Sequence, residues 1–416
     1  MAQLPCIVIV GAGQAGARAA LTLRERGWAG RVLLVGEEAH APYERPPLSK
    51  RSLLTPEAAA TLVAEVSRYA QDGIELQLQT RVLSIDTAAR CVTLAHGDDA
   101  PEIVHYSKPL LATGGKARRL DLPGADDARV MTLRHANDAT RLATRLGPGS
   151  TVAVLGGGFI GLEVAASARQ RGSEVVLLEA GPRLLGRAVP ADIAGLVHAL
   201  HAARGVDIRL LDSVSAFEPA SASGRITVRC ASGTTIAVDT VVIGIGMVPE
   251  VSLATAAGLQ VRRGIVVDST LRTSADDVYA AGDVCEFPNH EGTGTTVMES
   301  WANAEAQAVV AARNMMGDAE AYRPDLWMWS DQYDHGLQMA GRCIEPSHVV
   351  TRVLPGGQLA FYLDAEERIV GAAGFAPTAS LARAFTVARR LVATQERRRP
   401  AELGDPERAL KSLLAA

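Results

Sequence analysis

Two glycine-rich segments of this chain have the residue types and spacing that bind the phosphates of a dinucleotide. The first is Gly11-Ala12-Gly13-Gln14-Ala15-Gly16, and the second is Gly156-Gly157-Gly158-Phe159-Ile160-Gly161. In such a pattern the first glycine permits a tight turn, the second lets the backbone approach a pyrophosphate, and the third allows close helix–strand packing. The following helix offers free N–H groups and the positive end of its dipole to the phosphates. The sequence therefore predicts two dinucleotide sites.

Each glycine turn is predicted to lie inside a complete βαβ unit. An apolar strand precedes each turn and a helix follows it, over 17–26 in the first unit and 162–171 in the second. A second apolar strand comes next, over 31–35 and 174–178 respectively. This context argues against glycine turns that serve only the fold and bind no ligand.

An acidic residue follows the second strand of each unit, Glu37 in the first and Glu179 in the second. A carboxylate at this point accepts hydrogen bonds from a ribose, and it repels the 2′-phosphate of NADPH. We therefore expect NADH rather than NADPH at the second site. Arg183 and Arg187 lie just downstream, where they contact a phosphate, another part of the cofactor, or only solvent.

A later segment indicates that the first site holds FAD. The strand at 278–281 runs into Gly282-Asp283, which would bring the backbone and one carboxylate close to a polyol such as the flavin ribitol. A helix predicted over 298–316 could direct its N-terminus at the pyrimidine side of an isoalloxazine ring and stabilise negative charge there.

Two further groups of charged residues each allow two interpretations. Arg45 and Lys50 flank the stiff Pro46-Pro47 pair, either as exposed charges on a rigid loop or as cations held against a flavin or pyrophosphate. Glu163, in the first turn of the second predicted nucleotide helix, either orients a nicotinamide ring or complements the helix dipole.

The remaining segments predict an α/β fold with two Rossmann-like dinucleotide-binding domains, the second inserted in the first, plus a C-terminal α+β domain. The predicted boundaries are 1–113 and 247–324 for FAD, 114–246 for NAD, and 325–416 for the C-terminal domain. Further strands are predicted over 76–85, 91–94, 107–112, 225–230, 235–243, 348–353, 358–363 and 369–373, and a helix is predicted over 380–396.

Composition excludes several classes of protein. The chain has 416 residues and a net charge of −4, which argues against nucleic-acid binding through a basic surface. It begins without a signal-peptide pattern, and no apolar run approaches the ~18 residues of a membrane-spanning helix. We therefore expect a cytoplasmic protein with no membrane partner.

The cysteines exclude further classes. The five cysteines are scattered and contain no C-x-x-C or C-x4-C pair, so we expect reduced thiols and no metal site. Disulfide reductases with this arrangement of domains need a redox-active dithiol beside the flavin, so electrons are expected to go directly to an external acceptor.

In combination these motifs resemble the oxygenase-coupled, NADH-dependent ferredoxin reductases of the glutathione-reductase-like superfamily. The resemblance is carried by the two fingerprints together with Arg45-Pro46-Pro47-Leu48-Ser49-Lys50, Ala112-Thr113-Gly114, Gly282-Asp283 and Trp329-Ser330-Asp331-Gln332. It implies hydride transfer from NADH to FAD and single-electron transfer to a transiently bound [2Fe–2S] ferredoxin, which would serve a terminal oxygenase for aromatic compounds.

The resemblance also implies roles for individual residues. Lys50 would lie near the flavin N5, Glu163 on the nicotinamide side, and Trp329 on the electron-exit side. FAD-contacting positions would include Arg45, Val82, Arg134, Val297 and Trp301. The remaining residues expected at the two sites are Ala15 and Ala112 for FAD, and Phe159, Ile160, Gly244 and Gly246 for NAD.

Some alternatives stay open at this point. The same scaffold would suit a rubredoxin reductase, an NADH oxidase, or an NADH-sensing flavoprotein like apoptosis-inducing factor. A basic segment containing Arg397, Arg398 and Arg399 is either a docking surface for an acidic ferredoxin or a solvated helix end. The oligomeric state, monomer or dimer, does not follow from the sequence.

Overall fold

The computed structural model describes residues 4–57, 60–97, 99–186, 188–219, 224–289, 294–344 and 346–414. The chain divides into two compact units. The first unit is formed by Met1–Arg45, Ala60–Lys116 and Met247–Pro324, and the second by Pro46–Ala59, Ala117–Gly246 and Asp325–Ala416.

The α-helices are α1 Gln14–Glu25, α2 Arg51–Leu54, α3 Val66–Gln71, α4 Ala136–Ala143, α5 Phe159–Gln170, α6 Ala191–Ala203, α7 Ser252–Ala256, α8 Trp301–Met316, α9 Thr378–Thr394 and α10 Pro400–Gly404. Short 3-10 helices cover Pro46–Ser49 and Leu410–Leu414. The strands are β1 Cys6–Val10, β2 Arg31–Val35, β3 Ile74–Gln77, β4 Thr80–Asp86, β5 Cys91–His96, β6 Glu102–His105, β7 Lys108–Leu111, β8 Gly115–Ala117, β9 Val130–Thr132, β10 Thr151–Leu155, β11 Glu174–Glu179, β12 Val206–Leu210, β13 Val214–Pro219, β14 Ile226–Cys230, β15 Thr235–Val238, β16 Thr240–Ile243, β17 Met247–Pro249, β18 Ile265–Val266, β19 Tyr279–Ala280, β20 Cys285–Pro288, β21 Thr295–Thr296, β22 Trp327–Gln332, β23 His335–Gly341, β24 His348–Leu354, β25 Gly357–Leu363 and β26 Ile369–Pro377.

A parallel five-stranded sheet of order β19-β7-β1-β2-β3 forms the centre of the first unit. Strand β1 is buried along its whole length, as a strand covered on both faces must be, which explains its unbroken apolar sequence. Helices α1 and α8 pack against each other beside this sheet. The parallel register brings the carboxyl ends of β1, β2, β7 and β19 to one edge of the sheet, where ligands bind in such folds.

The second unit contains a matching parallel sheet of order β12-β11-β10-β16-β9. Its central strand β10 is also fully buried, and β11 lies beside it in the same register that relates β2 to β1. An antiparallel sheet, β13-β14-β15, covers part of this core.

The C-terminal residues of the second unit form an antiparallel sheet of order β22-β23-β26-β25-β24, against which α9 packs. Leu359 and Phe361 of the sheet and Leu381 and Phe385 of α9 are almost fully buried in its core. Arg352 is buried as well and donates to the carbonyl oxygens of residues near the chain end, including Leu403 at 3.2 Å. Burial lowers the pKa of its guanidinium.

The predicted strands over 76–85 and 235–243 were each wrong as single elements. The first breaks between β3 and β4, because Gln79 takes a left-handed conformation with φ of 51°. The second breaks at Asp239, whose carboxylate accepts the N–H of Thr151 at 2.7 Å while its own N–H donates to the Thr151 carbonyl.

The helix boundaries also differ from the prediction. Helices α1 and α5 begin three residues before the predicted starts, so the last glycine of each fingerprint lies inside the helix. Helix α8 begins at Trp301 rather than 298, because the Ser300 hydroxyl caps it by accepting the N–H of Asn303. Helix α9 covers Thr378–Thr394 rather than 380–396.

Within the described ranges, no helix is both long enough and apolar enough to cross a membrane.

Candidate active site

The first fingerprint forms a turn that fits a pyrophosphate. Gly11 has a φ of 109°, and a Cβ atom there would lie 2.3 Å from the carbonyl oxygen of Ala112. A Cβ on Gly16 would lie 1.9 Å from the Gly11 oxygen. In contrast, a Cβ on Gly13, the N-cap of α1, would meet no atom within 4 Å. The middle glycine is therefore not required by the protein's own packing, and its open side suits a ligand phosphate.

A second glycine turn of this unit lies beside a buried side-chain amide whose N–H donors are unpaired among the described residues. Gly282 has a φ of 90° and donates its N–H to Oε1 of Gln307 at 2.8 Å. Gln307 is fully buried, and its Nε2 has no hydrogen-bond partner among the described residues. Asp283 follows at the carboxyl end of β19, half-buried. A polyol with several hydroxyl groups would fit this combination of a buried amide and a carboxylate.

Other residues predicted for FAD lie in the same unit. Val82 is buried on β4, and Ala112 directly follows β7, where its N–H donates to the Val10 carbonyl at 2.8 Å. Val297 and Trp301 are half-buried at the start of α8. These residues and the two glycine turns fit a flavin dinucleotide as ligand of the first unit.

The acidic residues after β2 divide their contacts in a way that the sequence did not predict. Glu37 is 65% exposed and pairs with Arg81 at 2.5 Å. Its neighbour Glu38 accepts from the Tyr43 hydroxyl at 2.6 Å and pairs with Arg45 at 2.9 Å. Glu38, which the sequence reasoning passed over, therefore holds Arg45, and two adjacent acids after a strand were the only signal for it.

The second fingerprint repeats the geometry of the first. Gly156 has a φ of 101°, and a Cβ on Gly161 would lie 2.0 Å from its carbonyl oxygen. Gly158, the N-cap of α5, again leaves open space, since the nearest atom to a Cβ is the Gly244 oxygen at 3.9 Å. Ile160, in the first turn of α5, is 42% exposed, which is unusual for a large apolar side chain in this helix.

Glu179 is aimed at this turn. Its Oε2 accepts the N–H of Gly157 at 2.7 Å, and its Oε1 accepts the N–H of Gly181 at 2.7 Å. The carboxylate thus lies beside the glycine turn, where a nucleotide ribose would approach. Gly244 and Gly246 follow β16 at the same edge of the sheet, and Phe159 is half-buried at the start of α5.

Of the two arginines downstream of Glu179, the structure describes only Arg183. Arg183 donates to the carbonyl oxygens of Val189 and Gly186, both at 2.8 Å, so its guanidinium braces its own loop. Arg187 lies outside the described residues.

Arg134, which was predicted for FAD, is half-buried in the second unit, just before α4, and its backbone N–H donates to Asp138.

Lys50 and Glu163 form an ion pair in the second unit, with 2.9 Å between Nζ and Oε2. Glu163 is only 4% exposed, whereas the Lys50 side chain is 21% exposed. The hydroxyls of Ser49 and Ser330 donate to the same carboxylate, the latter at 2.6 Å. Glu163 is the fifth residue of α5, beyond its first turn, so the interpretation that it complements the helix dipole was wrong.

Helix α5 also positions the segment that carries Lys50. The hydroxyl of Ser167 donates to the Ser49 carbonyl at 2.7 Å, and Arg171 donates to the Leu53 carbonyl at 2.6 Å. The fingerprint helix therefore fixes Lys50 through backbone contacts as well as through Glu163. Lys50 is therefore held by Glu163 rather than loosely exposed, and its predicted contact with a flavin or pyrophosphate stays a prediction.

Asp331 adds a second carboxyl group near this pair. Burial raises its pKa, and the charge of Glu163 acts in the same direction, whereas Lys50 opposes the shift. Trp329, two residues before it on β22, has its ring 4.9 Å from that of Trp327, nearly parallel. The Arg389 guanidinium lies 4.5 Å from the Trp327 ring. Lys50, Glu163 and Asp331 are thus close enough to interact electrostatically, and the stacked indoles lie on the same strand as Asp331.

No group of three or more His, Cys, Asp or Glu side chains that could hold a metal ion occurs in the part of the chain that the structure describes. All five cysteines are free thiols, and Cys6, Cys230, Cys285 and Cys343 are buried.

Comparison with known proteins agrees with this geometry. Residues 5–308 match the family model described as pyridine nucleotide-disulphide oxidoreductase, and residues 327–414 match the model described as reductase C-terminal. The ferredoxin--NAD(+) reductase component of the anthranilate 1,2-dioxygenase system of Burkholderia cepacia is 41% identical over 412 residues, with 98% of each chain covered.

Two further relatives extend the comparison. The rubredoxin-NAD(+) reductase of Pseudomonas putida is 39% identical over 340 residues, covering 80% of this chain and 86% of that protein. The reductase in the crystal structure of the covalent putidaredoxin reductase–putidaredoxin complex has a TM-score of 0.91 and 32% identity, with 99% of each chain covered.

These matches confirm the predicted α/β fold class with its C-terminal α+β part, the FAD and NADH cofactors, and the oxidoreductase class. They also confirm the resemblance to oxygenase-coupled ferredoxin reductases. The chain belongs to the pyridine nucleotide-disulphide oxidoreductase family, in the branch that carries the reductase C-terminal domain.

Proposed function

We propose that this chain is the flavoprotein reductase of an oxygenase system for aromatic compounds. It takes a hydride from NADH onto FAD and passes single electrons to a [2Fe–2S] ferredoxin, its transient partner. When bound, FAD supplies the conversion between a two-electron hydride and single electrons. The observation that carries the proposal is the pair of matched fingerprints, combined with a chain that has no C-x-x-C or C-x4-C pair.

The described residues support a division of labour between the two sites. We assign the turn at Gly11–Gly16 together with Gly282 and Asp283 to FAD, and the turn at Gly156–Gly161 with Glu179 to NADH. We propose the domain boundaries expected from the sequence, 1–113 with 247–324 for FAD, 114–246 for NAD, and 325–416 for the C-terminal domain. The segment Pro46–Ala59 is the exception, since it belongs to the second compact unit. Glu37, Arg45, Val82, Ala112, Arg134, Val297 and Trp301 complete the proposed FAD set.

The ion pair of Lys50 and Glu163 has a specific role in this proposal. An ammonium group held by a buried carboxylate is fixed in position, and fixed charges stabilise a reacting system without reorganising. Lys50 would face the flavin N5, Glu163 would orient the nicotinamide, and Trp329 would lie where electrons leave. We also propose that the enzyme works in the cytoplasm, since its five cysteines are free thiols.

One other acceptor has a specific observation in its favour. The match to a rubredoxin-NAD(+) reductase is nearly as strong in identity as the match to the ferredoxin reductase component. A rubredoxin is therefore the second candidate for the electron acceptor.

An anaerobic NADH titration followed by absorbance tests the proposal. The purified protein should show flavin bands that bleach with one equivalent of NADH per flavin, as a hydride donor requires. Adding oxidised [2Fe–2S] ferredoxins, rubredoxin or oxygen to the bleached protein then identifies the acceptor. A colourless protein, or flavin that NADH does not bleach, would contradict the proposal, and faster reoxidation by rubredoxin would favour the second candidate.

Glu179 is expected to set the preference for NADH. The wild type should show a higher kcat/KM with NADH than with NADPH, because the carboxylate repels a 2′-phosphate. Glu179→Ser should narrow this preference by about tenfold, or roughly 1.4 kcal/mol. Steady-state kinetics with NADH and NADPH measure the ratio of the two kcat/KM values. Glu174→Ser, at the exposed start of the same strand, is the control and should keep the wild-type preference. A wild type that prefers NADPH would show that the role given to Glu179 is wrong.

Only two of the three arginines at 397–399 are exposed and could contact a ferredoxin. Arg398 is half-buried, donates to the Leu413 carbonyl at 3.1 Å and pairs with Glu396, so it stabilises the tail. Arg397 and Arg399 are exposed. The double charge reversal Arg397→Glu/Arg399→Glu should lower kcat/KM for ferredoxin about fivefold at low salt, because electrostatic steering is lost.

The matched measurement is NADH-driven flavin reduction by the same variant, which should stay unchanged because no ferredoxin takes part in it. Raising the salt concentration should bring the wild type and the double variant together. Equal ferredoxin reduction by both proteins at low salt would remove this segment from the docking surface.

A further inference from the structure

Behind Glu163, a row of buried polar side chains continues away from Lys50. Gln332 donates from Nε2 to the Ser330 hydroxyl oxygen at 3.2 Å, and its Oε1 lies 2.8 Å from Nε2 of His201. Ser330 and His201 are fully buried, and Gln332 is 1% exposed. Together with the bond from Ser330 to Glu163, these contacts link α6 to α5 through β22.

The direction of every hydrogen bond in this row is fixed. An ionised carboxylate only accepts, so the Ser330 hydroxyl gives its single proton to Glu163 and must accept from the Gln332 amide. The amide oxygen then faces His201, whose Nε2 must carry a proton in order to donate to it. All three donors therefore point toward Glu163. Hydrogen bonds aligned in this way polarise one another in a medium of low dielectric constant.

The tautomer of His201 follows from the same contacts. Its Nδ1 has no hydrogen-bond partner among the described residues, so a proton there would be buried without an acceptor. Burial lowers the pKa of His201 to about 4, which keeps the imidazole neutral at physiological pH. A neutral ring with its proton on Nε2 is the form that completes the row.

Ring contacts and an ion pair surround the far end of the row. The Tyr333 ring packs edge-on against His201 at 5.2 Å, and the Arg204 guanidinium lies 5.0 Å from the Tyr333 ring. Arg204 also pairs with Asp334 at 2.8 Å, in the turn between β22 and β23. These contacts connect the hairpin tip to the end of α6, and Tyr333 packs against His201.

We infer that Ser330, Gln332 and His201 are positioning residues that orient the Glu163 carboxylate, and through it Lys50, for the reaction with NADH. The inference rests on the proposed function. Two oxygens of Glu163 are engaged by different partners, Lys50 and Ser49 on Oε2 and Ser330 on Oε1, so the row fixes the rotation of the carboxylate. Such fixed orientation is what transition-state positioning requires.

Gln332→Glu tests the direction of the row while keeping its shape. The titratable and charged groups around this position include Glu163 and Arg169 on α5 and His198 and His201 on α6. The others are Arg204 at the end of α6, Lys50, Asp331 and Tyr333. Burial and the nearby Glu163 charge should raise the pKa of the introduced carboxyl group. When protonated it can still donate to Ser330 and accept from His201, and when ionised it can only accept.

The flavin reduction rate of the Gln332→Glu holoenzyme with NADH should therefore be near that of the wild type at pH 6. At pH 8.5 it should be about tenfold lower, as expected when a reacting group is misplaced. Gln358→Glu is the matched control, because it makes the same change on β25 of the same sheet without a bond to this row. Its pH profile should follow that of the wild type.

A structural readout accompanies the kinetics. Nitrogen-15 NMR of the histidine rings in the wild-type holoenzyme should show a neutral, Nε2-protonated imidazole that persists to about pH 5 and is missing from His201→Gln. A charged ring or an Nδ1 proton at pH 7 would overturn the inference. So would a Gln332→Glu profile identical to the wild type.

A Gln332→Glu protein that fails to bind FAD would shift the kinetic test to His201. His201→Gln keeps a donor for the Gln332 oxygen and should retain most of the reduction rate, whereas His201→Leu should lower it about tenfold. Equal rates in the two variants would overturn the inference. A wild type that NADH does not bleach would instead remove the proposed function, so the two failures are distinguishable.

Discussion

Gly13→Ala is expected to give a folded protein that binds FAD about tenfold to a hundredfold more weakly than the wild type. A methyl group here meets no atom of the chain within 4 Å, and Gly13 has an extended backbone that alanine adopts readily, so folding should be unaffected. The methyl group would lie where the pyrophosphate approaches the α1 N-terminus. Losing one hydrogen bond to a charged phosphate, worth about 1.5–3 kcal/mol, gives this range.

Gly158→Ala is the matched change in the second fingerprint, and it should weaken the binding of NADH rather than that of FAD. Its Cβ also finds open space, with the nearest atom at 3.9 Å, and the backbone is again extended. The protein should keep its flavin bands, while the dissociation constant for NADH rises by a similar factor. Comparing the two variants therefore tests which fingerprint binds which cofactor.

The measurements are the ratio of flavin to protein absorbance, FAD titration of the apoprotein, and NADH binding to the holoprotein. Gly147→Ala serves as a control, because its Cβ likewise meets nothing within 4 Å and it lies outside both fingerprints. If Gly13→Ala retains FAD and Gly158→Ala loses it, the assignment of the two sites is reversed. If neither variant changes binding, the middle glycines do not contact phosphates.

The fingerprints could be predicted from sequence because their geometry is a local requirement. Gly11 and Gly156 adopt positive φ angles, and a Cβ atom at either position would lie within 2.6 Å of a carbonyl oxygen. Only glycine adopts this conformation readily and also avoids the clash. Strands β2 and β11 each begin at the predicted residue for similar reasons, since apolar runs bounded by turns are recognisable within one segment.

The environment of Glu163 could not be predicted in the same way. Its partners Ser49 and Ser330 come from positions 114 and 167 residues away in sequence. No pattern within α5 distinguishes a carboxylate that complements a helix dipole from one that is buried in an ion pair, because the difference depends on tertiary packing. The motif that contains Ser330 was recognised only through resemblance, and His201 lies on α6, a helix that the sequence reasoning did not predict.

Local breaks in the strands were missed for a related reason. Gln79 enters the left-handed region without being glycine or asparagine, so composition gives no signal for the break between β3 and β4. Asp239 interrupts an apolar run because its carboxylate accepts an N–H from Thr151, on a strand far away in sequence. In both places tertiary contacts override a valid strand pattern.

His201 should make the folded protein lose stability as the pH falls from about 6.5 to about 4. Burial lowers the pKa of this imidazole from 6.5 to about 4, so within that window the unfolded chain binds a proton that the folded chain does not. Stability rises with increasing pH wherever the unfolded state binds more protons, so it is lost as the pH decreases through this window. Above pH 6.5 the ring is neutral in both states and contributes no pH dependence. A shift of this size corresponds to roughly 3 kcal/mol when fully developed.

His201→Gln removes the titrating group while keeping a donor for Gln332, so it isolates this contribution. Between pH 7.5 and pH 4.5, the free energy of unfolding of the wild-type holoprotein should fall by roughly 2–3 kcal/mol more than that of the variant. Urea unfolding followed by tryptophan fluorescence at several pH values measures the difference. His348→Gln, at an exposed position on β24, should behave like the wild type. Parallel pH dependence in the wild type and His201→Gln would mean that the imidazole is not a buried neutral donor, and the row of hydrogen bonds to Glu163 would then lose its far end.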